Sequence, residues 1–197
     1  MNRSKAANLF TVLVVVLLGA VLTAGVYGQE TEQLRMGITG DESTLNPFTY
    51  VTGNPGWNML LLQYDTLYQL DGDGVPQPWL ATGSEVSEDA LTVTINLRED
   101  VTWHDGQPLT ANDVKFTVDY FKTFTSGRFT RDLRPVESAE VSGDYQVIFT
   151  LTAPTPSLDR GVLADVPIMP QHIWSEIEAP DEYDFDISTN VGSGPYK

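Results

Sequence analysis

A chain of 197 residues with 27 acidic and 11 basic side chains carries a formal net charge of −16, a field that repels nucleic acid and anionic membrane surfaces. It contains no cysteine, which excludes disulfides, thiolate nucleophiles and cysteine-ligated metals and leaves stability to the apolar core. Its length accommodates one domain or two small ones.

At the amino terminus, Arg3 and Lys5 precede an apolar run from Leu9 to Val26 interrupted by Thr11 and Thr23, and Val26-Tyr27-Gly28 supplies a cleavage motif. Residues 1–28 therefore read as a secretory signal peptide. The run also reaches the ~20 residues that span a bilayer, so an uncleaved anchor is the alternative, with cleavage after Gly28 the expectation. Leu22-Thr23-Ala24-Gly25 begins like a lipobox, but Val26 stands where the lipid-bearing cysteine is needed, and no lipid anchor is expected.

Leu34, Met36 and Ile38 alternate with Arg35, Gly37 and Thr39, which predicts a short strand running into the polar turn Gly40-Asp41-Glu42-Ser43. Asn54-Pro55 marks a helix start, with Trp57, Leu60, Leu61 and Tyr64 forming its apolar face. A strand over Thr66–Leu70 leads into Asp71-Gly72-Asp73-Gly74 and a return over Val75–Trp79, which Pro76 and Pro78 place at an edge or outside the main sheet. The Asp-Gly repeat is expected to be a turn: a calcium loop would need glutamate at its twelfth position, where Thr82 stands.

The stretch from Leu97 to Phe121 is the most ordered by pattern. Leu91, Val93, Ile95 and Leu97 alternate with polar residues as a strand with one buried face. Asp105-Gly106 then supplies a tight turn, and Trp103, an exposed-looking aromatic, is expected to lie across the sheet as an apolar cover. Thr110-Ala111-Asn112-Asp113 reads as a variant capping box, after which Val114, Val118 and Phe121 share one helical face widened by Phe116, Tyr120 and Phe124. The neighbours His104 and Asp105 invite a catalytic or metal reading. Adjacent residues point in different directions, however, and no second histidine at a ligand spacing or serine elbow accompanies them, so a structural turn is expected.

Val136–Val141 and Tyr145–Leu151 flank Ser142-Gly143-Asp144, which predicts a hairpin with a three-residue turn. Ser157 is expected to cap a short helix through Leu163, and Pro170 to begin another that carries His172, Ile173, Trp174 and Ile177. Asp181–Asp186 reads as a solvated acidic loop. Gly192-Ser193-Gly194-Pro195-Tyr196 lacks the Gly-Lys-Ser/Thr ending of a phosphate loop.

Five blocks now stand in order: Leu45-Asn46-Pro47, Tyr64-Asp65-Thr66-Leu67-Tyr68, Pro78-Trp79-Leu80-Ala81, the Leu97–Phe121 unit and Gly192-Ser193-Gly194-Pro195-Tyr196. Together they resemble the solute-binding proteins of peptide, nickel and oligosaccharide ABC importers, solute-binding protein family 5. The resemblance implies an α/β fold of the periplasmic-binding-protein type, class II, with the second lobe missing from this chain. It places residues 29–47 and 165–197 in the ligand-binding lobe and 48–164 in an inserted β-rich α+β subdomain.

By the same resemblance the chain is an extracytoplasmic component that captures an oligopeptide or related extended solute for a membrane permease, as a monomer, with no cofactor, catalytic residue or metal ligand. Gly40, Asp41, Glu42 and Ser43 lie where a strand ends, the place at which α/β lobes bind ligands, and are the expected ligand contacts; the bland alternative is a solvated turn. Met169-Pro170-Gln171-His172 resembles the family's Leu-Pro-Lys-His block, in which His172 would either cap the helix or pack. The glycines of the final block are expected to permit close backbone approach. Two other functions stay open: a truncated piece that binds nothing alone, and an extracytoplasmic hydrolase, which would need a nucleophile and base within reach of each other.

Overall fold

The computed structural model describes residues 37, 46–49, 54–125, 128–183 and 190–196, the side chains of 54 and 55 excepted. The chain divides into a leading unit, Met1–Gly37, and a second, Ile38–Lys197, to which every statement below belongs. The signal-peptide reading, the strand around Leu34–Ile38, the turn Gly40–Ser43 and the acidic loop beyond Tyr183 lie outside the described residues.

In chain order the elements are α1 (Asn54–Gln63), β1 (Tyr68–Leu70), β2 (Pro76–Pro78), β3 (Ala81–Val86), β4 (Thr92–Leu97), α2 (Ala111–Thr123), α3 (Phe129–Asp132), β5 (Val136–Gly143), β6 (Gln146–Leu151), a π-helical turn (Asp159–Leu163) and α4 (Gln171–Trp174). β3, β4, β6 and β5 form, in that order, an antiparallel four-stranded sheet, while β1 and β2 pair separately as a small ribbon. This is a mixed α/β architecture. Among the described residues no helix is long and apolar enough to cross a membrane.

The period-two pattern of β4 does what it predicts: Val93, Ile95 and Leu97 are buried and alternate with half-buried polar neighbours. β6 repeats this with Val147, Phe149 and Leu151, and α2 covers the sheet from the side of β5 and β6. The capping box at Thr110 and Asp113 is present. The Asp113 carboxylate accepts the Thr110 amide at 2.8 Å and, through its other oxygen, the Gln171 amide at 3.0 Å. One acid thus starts α2 and fixes the entry to α4. Below it Val114, Val118 and Phe121 are buried as their spacing requires, joined by Tyr120. Phe48 stacks on Phe121 with ring centres 4.9 Å apart and meets Tyr120 edge-on, which pins the segment after Asn46 to the same core.

Several expectations shift. Trp103 is 2% exposed, a core residue and not an exposed aromatic. β3 carries no sequence expectation, because of Ala81-Thr82-Gly83-Ser84-Glu85-Val86 only Ala81 is buried; an edge strand held by backbone pairing needs no apolar stripe. The hairpin is displaced: β5 continues to Gly143, a bulge between Val141 and Gly143 takes up Ser142, and Asp144-Tyr145 makes the turn. The helix expected after Ser157 is wound as a π-helical turn over Asp159–Leu163, and the one after Pro170 spans only Gln171–Trp174 before Ile177 closes a turn on Trp174.

Candidate functional site

The last four-residue helical turn of α1 leaves carbonyls without an intrahelical partner. Residues 190–196 run back across that end and supply the donors. The Gly194 amide donates to Gln63 O at 2.8 Å and the Tyr196 amide to Leu62 O at 3.1 Å, while the Asp65 amide donates to Ser193 Oγ at 3.3 Å. Buried Tyr64 donates its hydroxyl to Asn190 Oδ1 at 2.7 Å; burial pushes its phenol well above the ordinary range.

Backbone meets backbone here so closely that a side chain has no room. A Cβ on Gly192 would lie 1.9 Å from Gln63 O, and one on Gly194 would lie 2.5 Å from Leu62 O. The glycines therefore serve close approach, as expected of them.

His104 grips the same segment from the other side. Its own amide donates to Gly192 O at 2.8 Å, its Nδ1 accepts the Gly192 amide at 3.2 Å, and its Nε2 lies 2.8 Å from Gly194 O. With Nδ1 accepting, the ring proton is assigned to Nε2 and donates to that carbonyl. Asp105 points elsewhere: its carboxylate meets His172 Nε2 at 2.7 Å. The turn is itself tight, with Gly106 at φ 89°. The two histidines thus tie a single turn, residues 103–106, to two later segments. His172 neither caps α4 nor packs in the core; its Nε2 hydrogen-bonds across to the turn, a partner 67 residues away that no local pattern reveals.

Burial, the largest influence on Asp105, raises its pKa, but the Gln107 amide and His172 together outweigh it and hold the carboxyl below its usual range. The Asp71 turn is also as expected: Oδ1 accepts the amides of Asp73 and Val75 at 3.0 and 2.9 Å. Among the described residues no group of three or more histidines and acids is placed to hold a metal ion. Of the four expected ligand contacts, Gly40, Asp41, Glu42 and Ser43, all lie outside the described residues.

Beside the seam lies a cavity of about 420 Å³, lined by Trp57, Leu61, Leu70, Trp79, Arg160 and Asp165 among others and reached by Pro195 of the final block. No local pattern in the sequence points to it, since its walls come from α1, the β1–β2 ribbon and the π-helical turn. Its indoles are fixed in place. Trp79 Nε1 donates to Asp65 Oδ1 at 2.7 Å, and the Arg128 guanidinium sits 4.5 Å from the centre of the Trp57 ring. Arg128 in turn pairs with Asp165 through two bonds of 2.5 and 3.1 Å.

Residues 75–197 match the family model of the bacterial extracellular solute-binding proteins, family 5. A protein of Brucella ovis named as an ABC transporter peptide-binding protein is 32% identical over 171 residues, covering 82% of this chain and 31% of its own length. The substrate-binding protein CtaP of Listeria monocytogenes superposes with a TM-score of 0.70 at 32% identity, covering 81% of this chain and 32% of that one. The oligopeptide-binding protein AppA of Bacillus subtilis, in complex with a nonapeptide, gives 0.68 at 27% identity, over 76% of this chain and 30% of that one. The chain spans about a third of the length of the relatives it matches.

Proposed function

The chain belongs to the bacterial extracellular solute-binding proteins of family 5, whose members are transport components and not enzymes, and from that premise we propose that it serves an ABC importer by capturing oligopeptides outside the cytoplasm. The observation that carries the reading is the family match over residues 75–197, supported by relatives named for binding peptides and oligopeptides. In this reading a membrane permease receives the solute and the protein works as a monomer. Residues 29–47 and 165–197 belong to the ligand-binding lobe, residues 48–164 form the insert, and Gly40, Asp41, Glu42 and Ser43 meet the ligand. His104 spends both ring nitrogens, and His172 its Nε2, on structural partners, which fits a binding role better than hydrolysis.

Thermal unfolding of the full chain with and without a mixed peptide library tests the proposal. Peptide that binds the folded state at a hundred times its Kd adds about 2.7 kcal/mol and raises the melting temperature; no rise at saturating peptide refutes binding by this chain. A second reading, that this stretch binds only as part of a longer protein, is favoured by its 31% coverage of the Brucella ovis relative. It expects the rise in a longer protein alone.

A further inference from the structure

The cavity beside the seam holds an anomaly of charge. In a chain with 27 acids to 11 basic residues, Arg98, Lys115, Arg128 and Arg131 each pair with a carboxylate, whereas Lys122 rests on backbone carbonyls and, among the described residues, Arg134 and Arg160 meet no carboxylate. Arg160 is exposed at the cavity's rim, yet the described residues pair its side chain with no carboxylate. Its guanidinium rests on the carbonyl of Gly74, and the nearby acid, Asp165, is already engaged in two bonds to Arg128. The neighbouring Asp159 accepts the Arg160 backbone amide and not its side chain.

Two indoles and two leucines form the rest of the wall named above, and Leu70 and Trp79 are 47% and 41% exposed there. A cavity of this size with mostly apolar walls and a guanidinium that meets only a backbone carbonyl matches the general pattern of ligand pockets, in which a few polar groups orient a mostly apolar guest. An arginine presents a planar fork suited to a carboxylate.

We infer that the cavity takes the C-terminal residue of a peptide, its aromatic or long aliphatic side chain against Trp57 and Trp79 and its free carboxylate on Arg160. The inference rests on the peptide-binding reading above and extends it, since it names which end of the peptide is recognised and at residues far in sequence from Gly40–Ser43. The guanidinium has only to release one backbone carbonyl to receive the carboxylate. Asp165, held by Arg128, sets the cavity against a second negative group.

N-acetyl-tryptophan and N-acetyl-tryptophanamide test it, titrated into the full chain and into Arg160→Gln, with the indole resonances of Trp57 and Trp79 as the readout. The acid is expected to bind about tenfold more tightly than the amide and to shift both indoles, as one charge-assisted contact requires. In Arg160→Gln, whose melting temperature should be unchanged because the side chain is exposed, the acid and amide are expected to bind alike.

Equal binding of acid and amide to the unaltered chain, or a preference that survives Arg160→Gln, overturns the inference. So does the absence of binding by either compound. The mixed peptide library decides the wider reading separately: peptides that bind with no preference for a C-terminal aromatic acid sink the inference and leave the function standing. An Arg160-dependent preference for the small acid without any library binding sinks both, because no peptide terminus then enters the cavity.

Discussion

Within the sheet and α2, a side chain such as Phe121 or Phe149 keeps its place because apolar neighbours surround it, whereas at the seam Gly192 and Gly194 keep theirs because they have no side chain at all. The first region is stabilised by area removed from water, which is diffuse and tolerant of swaps that conserve volume. The second depends on backbone bonds at fixed distance, so one added methyl meets a carbonyl that cannot move without unwinding the end of α1. Burial secures the body of the molecule. Contact distance secures the place where the chain returns across it.

The largest expected effect lies in the body. Phe121→Ala opens a cavity among Phe48, Phe129 and the sheet and should cost about 3–5 kcal/mol, read as a loss of global stability in denaturant unfolding. Next comes the seam. Gly192→Ala forces overpacking against Gln63 and should cost about 1–3 kcal/mol; hydrogen exchange is expected to rise at the Gly194 and Tyr196 amides while the amides of β4 and β6 stay protected. If β4 and β6 lose protection to the same degree, the two regions are one cooperative unit and the contrast fails.

His104→Ala removes the imidazole's two contacts with Gly192 and Gly194 but leaves the backbone bonds to Leu62 and Gln63. A loss of about 1–2 kcal/mol is expected, smaller than for the glycine and again confined to exchange at residues 192–194. The smallest effect concerns pH. Asp105 has a folded pKa below its unfolded value, so its contribution is present above about pH 4 and is lost as pH falls through the lower folded value. Melting curves of the unaltered chain and Asp105→Asn should therefore separate by a small margin near pH 5 and converge toward pH 2; a gap that persists in acid would point to packing and not charge.

Much of the body was legible because its signals are local. Alternation set β4 and β6, a Thr-to-Asp spacing of three marked the start of α2, and Asp105-Gly106 marked the turn. The misses share a cause as well. β3 is an edge strand whose side chains need no apolar pattern, and Ser142 sits in a bulge, where pairing to β6 and not the turn composition decided the register. Trp103 looked exposed beside a polar turn, but the residues that bury it come from elsewhere in the chain. His172 suggests a helix cap or a packed ring, while the geometry brings it to Asp105.

The candidate site divides the same way. The five blocks named the family, and the close approach of Gly192 and Gly194 was expected from the resemblance. Their partners were not. Leu62 and Gln63 present free carbonyls only because α1 ends there, and His104 reaches across 88 residues to Gly192.

The sequence by itself determined the family, the strand–turn–helix unit and the acidic character, since each is encoded in neighbouring residues or in composition. Only the tertiary structure decided that two histidines bind one turn to two later segments and that Arg160 lies at a mostly apolar cavity where, among the described residues, no carboxylate pairs with it. Which groups meet across 60 to 90 residues depends on where helices end and sheets pair, and neither distance nor direction between such groups is written in local spacing.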